Sequence, residues 1–293
     1  MIDSSNLASV VVCYFPDVQE LMRLIETLSM ASGLVVAVDN GGLETSRAAL
    51  HARFPSLSII APGTNIGIAA ALNLAFRAAN ERGFSHVISF DQDSVIEAGA
   101  IRALCAEFET IRNGGTKIAA IGPAFHDPRM TDQRKTGGKE SPEEARVRPY
   151  LITSGCLASV EAWRVSGGFD ERLFIDLVDV EWCWRLGRLG YTVHQSGTSS
   201  MAHRLSDGMK RMLGVTFNTY APIRRYYLAR NSVYLLVSAK CTGAQVKHLL
   251  KSLAFCTAAT LFADKEKIKG LWFVALGIAH GCRKRMGPLK SDD

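Results

Sequence analysis

The chain reads as an α/β protein built on a mainly parallel sheet. In its first half, short apolar runs alternate with longer amphipathic stretches, the pattern of β-strands joined by crossover helices. The runs are closed by turn-forming residues such as Asp39-Asn40-Gly41-Gly42 and Gly83. The polar residues that stand out, Tyr14, Asp39-Asn40, Asn65 and Asp91/Asp93, all fall at or just past the ends of predicted strands or open the next helix, and in open sheets of this kind ligands bind at the strands' carboxyl ends.

Taken in order, residues 8–15 are a predicted strand. Residues 17–29 follow as a helix with Val18, Leu21, Met22, Ile25 and Leu28 on one face. Residues 34–38 form a second strand, 45–54 a helix, 57–60 a third strand, and 66–81 an Ala-rich helix stopped by Gly83. A fourth strand at 87–90 precedes a helix at 98–113 and a fifth strand at 118–121. From 126 to 149 the chain is polar and reads as a long loop, either a lid or a solvated insertion. Residues 151–154 read as a strand, 160–165 as a short helix, 178–189 as a helix and 192–194 as a short strand. Right-handed crossovers between such strands make the sheet mainly parallel.

The last third changes character. A helix is predicted over 220–238, followed by two strongly apolar helices at 249–263 and 268–282, both shorter than a membrane span. They are separated by Asp264-Lys265-Glu266-Lys267, and Arg283-Lys284-Arg285 follows the second. Apolar faces with basic ends, and Trp272 near one edge, fit helices lying in a bilayer interface. A hairpin packed on the body or a dimer interface is the plainer reading, and oligomeric state stays open. The expected division is a catalytic body over 1–210 and a basic helical segment over 211–293.

Apolar residues make up 47% of the chain and charged residues 21%, which excludes a disordered protein. The net charge of +6 is uneven: residues 210–293 carry +11 and the remainder −5. A basic segment on an acidic body suits an anionic surface. The chain has none of the aromatic–basic interleaving or reading modules of nucleic-acid binders, so phospholipid is the expected surface. Seven scattered cysteines without a CxxC pair read as buried thiols in a reducing compartment. No signal-peptide pattern opens the chain, so a cytoplasmic location, or one on the membrane's inner face, is expected. The absence of GxGxxG and of GxxxxGK[ST] disfavours dinucleotide binding and a P-loop.

The stretch His86–Ser94 ends an apolar run in Asp91-Gln92-Asp93-Ser94. Two carboxylates spaced two apart at a strand end suit a hard divalent cation that also holds phosphate oxygens. Equally, Asp91 can end the strand while Asp93-Ser94 cap the next helix. A second carboxylate-rich stretch is Phe174-Ile-Asp176-Leu-Val-Asp179-Val-Glu181-Trp182-Cys-Trp-Arg185. Glu181 can pair with Arg185 along a helix, and Asp179 can serve the helix dipole. Asp176, inside an apolar run, fits neither, and a carboxylate held near a metal–diphosphate site can deprotonate an acceptor hydroxyl. His203 follows the last predicted strand and becomes a ligand only if it converges on Asp93.

In order, Val38-Asp39-Asn40, Asn65-Ile-Gly67-Ile-Ala69, Phe90-Asp91-Gln92-Asp93-Ser94, Ser154-Gly155, Gly168-Phe169-Asp170-Glu171, Asp179-Val-Glu181-Trp-Cys and Tyr227-Leu-Ala-Arg230-Asn231 resemble family 2 glycosyltransferases of the GT-A fold. More narrowly they are similar to bacterial rhamnosyltransferases of O-antigen and polysaccharide assembly, over residues 8–235 or so. The resemblance implies a GT-A fold with a Rossmann-like sheet flanked by helices. It also implies inverting transfer from dTDP-β-L-rhamnose, aided by Mg²⁺ or Mn²⁺, to a lipid-linked oligosaccharide at the cytoplasmic membrane face. It places Asp39 on the pyrimidine base, with Tyr14, Asn40 and Asn65 lining the nucleotide pocket. Asp91 would contact the nucleoside or assist at the metal, Asp93 would ligate it, and His203 would bind metal or diphosphate. Asp179 matches the catalytic base, with Asp176 its rival or an acceptor contact, and Arg230 would neutralise the leaving diphosphate. Val178 stands where the commoner Glu-Asp pair has its Glu, which leaves Asp176 and Asp179 open as base. A UDP-hexose donor, or a non-enzymatic nucleotide- or glycan-binding protein docked on a membrane, are the alternatives.

Overall fold

The computed structural model describes residues 1–126, 144–202, 208–212, 215–238 and 240–290. They fall into two compact units. One comprises residues 1–169 and 182–204, and the other residues 170–181 and 205–293. The carboxylate-rich stretch 170–181 groups with the C-terminal helices, and the later boundary falls at 204/205.

The first unit contains β1 (Leu7–Cys13), α1 (Val18–Ser29), β2 (Leu34–Asp39), α2 (Arg47–Arg53), β3 (Ser58–Ile60), α3 (Gly67–Glu81), β4 (His86–Asp91) and α4 (Ala98–Asn113). It continues through β5 (Ile118–His126), β6 (Arg146–Arg148), β7 (Cys156–Ser159) and α5 (Val160–Ser166) to β8 (Thr192–Ala202). Its sheet has the order β3-β2-β1-β4-β7-β5-β8-β6. The β3-β2-β1-β4 half is parallel, β7 runs antiparallel between β4 and β5, β5 and β8 are parallel, and β6 is antiparallel to β8. β1 and β2 are buried along their whole length, as helices covering both faces require. Leu21, Ile25 and Leu28 of α1 and Ile101, Leu104 and Phe108 of α4 join one core with Val11, Val35 and Ile88. Asp17 caps α1 by accepting from the backbone of Gln19 and Glu20, as its place before an amphipathic run foretells.

Three departures from the sequence reading have local causes. The strand expected at 151–154 instead forms at Cys156–Ser159. Gly155, with φ +75°, turns the chain between the two halves of that apolar run, and a Cβ there would lie 2.8 Å from Pro123. The stretch read as loop contributes the edge strand β6, which pairs with β8 from Arg146 to Arg148. β8 runs on to Ala202 through a polar sequence that alternation would not flag. Its irregular middle is held by Glu107 of α4, which accepts from the Ser196 hydroxyl, the Gly197 backbone N–H at 3.0 Å and the Thr198 hydroxyl at 3.3 Å.

The second unit holds a hairpin the sequence did not announce, β9 (Gly208–Met212) with β10 (Val215–Thr219), and three helices. These are α7 (Pro222–Ser238), α8 (Gly243–Phe262) and α9 (Lys267–Cys282). α8 begins earlier than expected because Thr242 and Gln245 form a capping box. α9 lies close along α7. A Cβ at Gly277 would sit 2.5 Å from the Tyr226 carbonyl oxygen, and one at Gly281 2.6 Å from that of Arg230. Asp264, in the polar break between α8 and α9, is buried and takes two 2.8 Å hydrogen bonds from Arg225. α6 (Val178–Arg188) begins in this unit and continues into the first.

Within the first unit, Asn73 in the middle of α3 is buried and fully used. Its carbonyl accepts from Trp163 Nε1 at 2.9 Å and Phe169 N at 2.8 Å, and its amide donates to the Phe169 carbonyl at 2.9 Å. Asn73→Ala strands those groups and should destabilise this unit by about 3 kcal/mol, read as a lowered denaturation midpoint. A midpoint equal to that of the unsubstituted protein would contradict this accounting.

Candidate functional site

The register of the parallel strands brings the expected nucleotide-site residues of the first unit to one edge. Cys13 of β1 pairs with Asp39 of β2, and Val12 pairs with Asp91 of β4. The chain segments leaving these strands, Tyr14-Phe15, Asn40-Gly41 and Gln92-Asp93, emerge side by side at the carboxyl ends. They are tied together through side-chain amides. Gln92 Oε1 accepts from Tyr14 N at 2.6 Å while its Nε2 donates to the Tyr14 carbonyl at 3.0 Å. Asn40 Oδ1 accepts from Ile66 N at 2.8 Å, and Asn65 Oδ1 from Gly67 N at 2.9 Å, fixing the start of α3 at the same edge. Gln92 was legible only as part of a motif; its task, stitching β4's turn to β1's, needed the register.

Tyr14 and Phe15 form an exposed aromatic pair here, 51% and 70% accessible, packed edge-to-face at 4.8 Å. Phe15 holds φ +47°, and its backbone N–H donates to Gly41 O at 2.8 Å. Asp39 is buried. One oxygen accepts from Gly41 N at 3.0 Å and Leu43 N at 3.3 Å, and the other from Nε (3.0 Å) and a terminal nitrogen of Arg47. Contact of Asp39 with a base would therefore be shared with Arg47, whose side chain is 36% exposed and which the sequence did not single out. Beside it, burial and then the Asp39 charge push the Cys13 thiol up to about 12, so it stays protonated and inert.

Asp91 closes β4, and its backbone N–H is 3.3 Å from the Ser154 hydroxyl. Ser154 also meets the Ser94 hydroxyl at 2.6 Å, so one serine from the 154–155 turn supports both ends of the Asp91–Ser94 segment. Ser94 N bonds back to Asp91 O at 3.1 Å, making a tight turn that carries Asp93 half-exposed at its tip. Val95 and Ala202 exchange two backbone hydrogen bonds of 3.3 Å, bringing the end of β8 beside this turn. His203, the expected third ligand, lies outside the described residues. Among the described residues no group of three or more His, Cys, Asp and Glu forms a metal-binding set. Asp91 and Asp93 are a partial set of hard oxygen donors. That fits a divalent cation whose remaining ligands are diphosphate oxygens and water.

Asp176, Asp179 and Arg230 belong to the second unit. Phe174, Asp176 and Leu177 all have positive φ, +65°, +65° and +62°. Phe174, with ψ −64° and the Ile175 N–H donating to Leu173 O at 2.8 Å, is the centre of a γ-turn of the rare positive-φ kind. Left-handed backbone costs a non-glycine residue about 1–2 kcal/mol, so three in four residues require outside support. That support comes from α7. Asn231 Nδ2 lies 3.0, 2.7 and 2.8 Å from the carbonyls of Leu173, Ile175 and Asp176. Arg224 donates to Asp176 Oδ1 at 3.2 and 3.3 Å, while Asp176 Oδ2 is buried and, among the described residues, has no hydrogen-bond partner. Asp179 sits half-buried in the first turn of α6, one oxygen accepting from Val180 N at 2.8 Å.

The leaving-group role expected of Arg230 does not fit its surroundings. The side chain is 0% exposed and its guanidinium is spent on neutral acceptors: Leu173 O at 2.9 Å, Arg172 O at 3.3 Å, Gly287 O and Asn231 Oδ1 at 3.0 Å. It lies over the rings of Tyr227 and Tyr226 at 4.9 and 5.3 Å, and burial lowers its pKa. Arg230 holds the 172–173 backbone. The sequence pattern Tyr227-x-x-Arg230-Asn231 placed these residues on one helix face, but which backbone that face grips is a tertiary fact.

No family model matches the chain. It is 34% identical over 247 residues, 80% of each chain, to the dTDP-rhamnosyl transferase RfbF of Shigella flexneri. It is 27% identical over 224 residues to the N-acetylglucosaminyl-diphospho-decaprenol L-rhamnosyltransferase of Mycobacterium tuberculosis, covering 63% of this chain and 71% of that one. Among solved structures, residues 1–349 of S. aureus TarS superpose with a TM-score of 0.58 at 13% identity, covering 96% of this chain and 82% of that one. GalNAc-T7, solved with UDP, GalNAc and Mn²⁺, gives 0.55 at 12% identity, covering 84% and 54%. These likenesses establish the Rossmann-like GT-A fold. On the strength of the Shigella relative, the chain belongs to the dTDP-rhamnosyl transferase family of glycosyltransferases.

Proposed function

We propose that this enzyme transfers rhamnose, with inversion, from dTDP-β-L-rhamnose to a lipid-linked glycan in the assembly of cell-surface polysaccharide such as O-antigen. The observation that carries the reading is the alignment of Tyr14, Asp39, Asn40 and Asp91 at one sheet edge in a chain whose relative is named a dTDP-rhamnosyl transferase. In this reading the nucleoside lies against Tyr14 and the Asp39–Arg47 pair, with Asn40 and Asn65 shaping the pocket. Asp93, with Asp91, would hold a Mg²⁺ or Mn²⁺ ion, joined by His203. That ion would supply positive charge to the departing diphosphate.

The acceptor hydroxyl attacks the anomeric carbon from the face opposite the diphosphate. The new C–O bond forms as the bond to the phosphate oxygen breaks. Asp179 takes the hydroxyl proton, and dTDP leaves with the bonding pair. Asp179 is taken as the base on its match to the family motif, and Asp176, held on one oxygen by Arg224, as the acceptor contact.

Among the described residues no helix is long and apolar enough to cross a membrane. The C-terminal helices instead support peripheral attachment to the inner membrane face. α8 exposes Leu250, Phe255, Leu261 and Phe262, and α9 exposes Ile268 (87%) and Trp272 (53%). Lys247, Lys251, Lys265, Lys267 and Lys269 are exposed among or beside them, a combination suited to anionic phospholipid.

Asp93→Ala and Asp179→Asn should each reduce transfer by at least about 1,000-fold, with dTDP binding retained in Asp179→Asn. Normal turnover by Asp179→Asn would refute the base assignment. EDTA should stop dTDP release and added Mg²⁺ or Mn²⁺ restore it; release that is indifferent to EDTA would remove the metal from the reading. A donor screen should favour dTDP-rhamnose over UDP-glucose and UDP-galactose, and the reverse preference would select the UDP-hexose alternative. Ile268→Glu with Trp272→Glu should abolish co-sedimentation with vesicles containing anionic lipid, and unchanged binding would exclude this surface.

A further inference from the structure

We infer that Asn231, backed by Arg230, is a positioning residue for transfer: its amide holds the left-handed run from Phe174 to Leu177 and thereby sets where the chain enters α6 and presents Asp179. The inference rests on the reading of Asp179 as base. Every contact it uses lies within the second unit.

Four observations converge on it. The first is the run itself, three positive-φ residues, none of them glycine, immediately before the helix that carries Asp179. Glycine at these positions would adopt the same backbone without cost, so a purely structural turn has a simpler solution. The second is the Asn231 amide, which lies within 3.0 Å of two carbonyls of this run, those of Ile175 and Asp176, and of the Leu173 carbonyl just before it, and is itself 0% exposed. The third is that the amide cannot be reversed. Arg230 Nε, which only donates, faces Asn231 Oδ1 at 3.0 Å, while the opposite side meets only carbonyl oxygens. The fourth is the cost accepted to keep that arrangement: the Arg230 cation is buried against carbonyls and aromatic rings.

Tyr227, one helical turn before Asn231, completes the grip. Its ring stacks on Phe174 at 5.0 Å with planes 22° apart. Tyr227, Arg230 and Asn231 thus share one face of α7 and all engage residues 172–176. Without the amide, the 174–177 backbone relaxes toward right-handed geometry and the first turn of α6 moves with it. A base displaced by about 1 Å loses roughly 100-fold in rate.

The test is carried out on the full chain with Asn231→Ala and Asn231→Gln, the latter keeping an amide but moving it by one methylene. Steady-state transfer from dTDP-rhamnose, dTDP binding and thermal unfolding are measured for each variant. Leu177→Gly is then added to Asn231→Ala. The expected result is a kcat lowered about 100-fold with the donor KM within about threefold and dTDP binding kept, and about tenfold of the loss recovered by Leu177→Gly, since glycine needs no clamp at that φ. Wild-type kcat in both single variants would overturn the inference. So would a loss of turnover that tracks loss of dTDP binding or of the folded state and is not recovered by Leu177→Gly. Asp179→Asn, assayed in parallel, separates the two ideas. If it turns over normally, the base reading fails whatever Asn231 does; if it is inactive while both Asn231 variants are normal, only the positioning role fails.

Discussion

The parallel register of β2, β1 and β4 is the constraint on which the candidate site of the first unit depends. Because the three strands run the same way and their last residues stand level, the segments leaving them emerge together and their polar side chains meet. A slip of one residue in β1 would turn its side chains to the opposite faces and separate Cys13 from Asp39. Strands buried along nearly their whole length on both faces cannot fix register by alternation. It is fixed instead by the helices on either face and by the polar ties at the strand ends, Gln92 to Tyr14 and Asn40 to Ile66.

Asparagine and glutamine side chains do much of the fastening in both units. Asn73, Asn40, Gln92 and Asn231 each satisfy backbone groups in segments without a ladder of their own. An amide suits the task because it presents donor and acceptor together and carries no charge to desolvate. Charge is buried where geometry is strict. Arg225 and Asp264 form a two-bond pair that anchors the α8–α9 turn on α7, and Arg230 spends its guanidinium on carbonyls. A cation so placed cannot meet a phosphate, and this is why the residue expected at the leaving group proves to belong to the scaffold.

The two carboxylate-bearing segments are built on different principles. Asp91 and Asp93 sit on a tight turn at the end of a central strand, supported by one buried serine, an arrangement with little strain. Asp176 and Asp179 follow a backbone that is costly to maintain and is maintained by α7. In the proposed function the first segment would hold the cation, and the second would give the base the rigid mount that meeting one hydroxyl requires.

Periodicity was sufficient to predict the strands and helices of the first half, because their apolar patterns are strong and local, and motif order was sufficient for the family. The carboxylates and the Tyr227-Arg230-Asn231 face were visible as residues. Sequence could not show the polar second half of β8, which is a strand because β5 and Glu107 engage it, or the displacement of β7 past Gly155. Nor could it show that Asp39 is paired with Arg47, that residues 170–181 group with the C-terminal helices, or that Arg230 is sealed from solvent. The division has a physical basis: local pattern fixes which face of an element is apolar, whereas the partner of a buried polar group is chosen by elements distant in the chain, and only the folded structure brings them together.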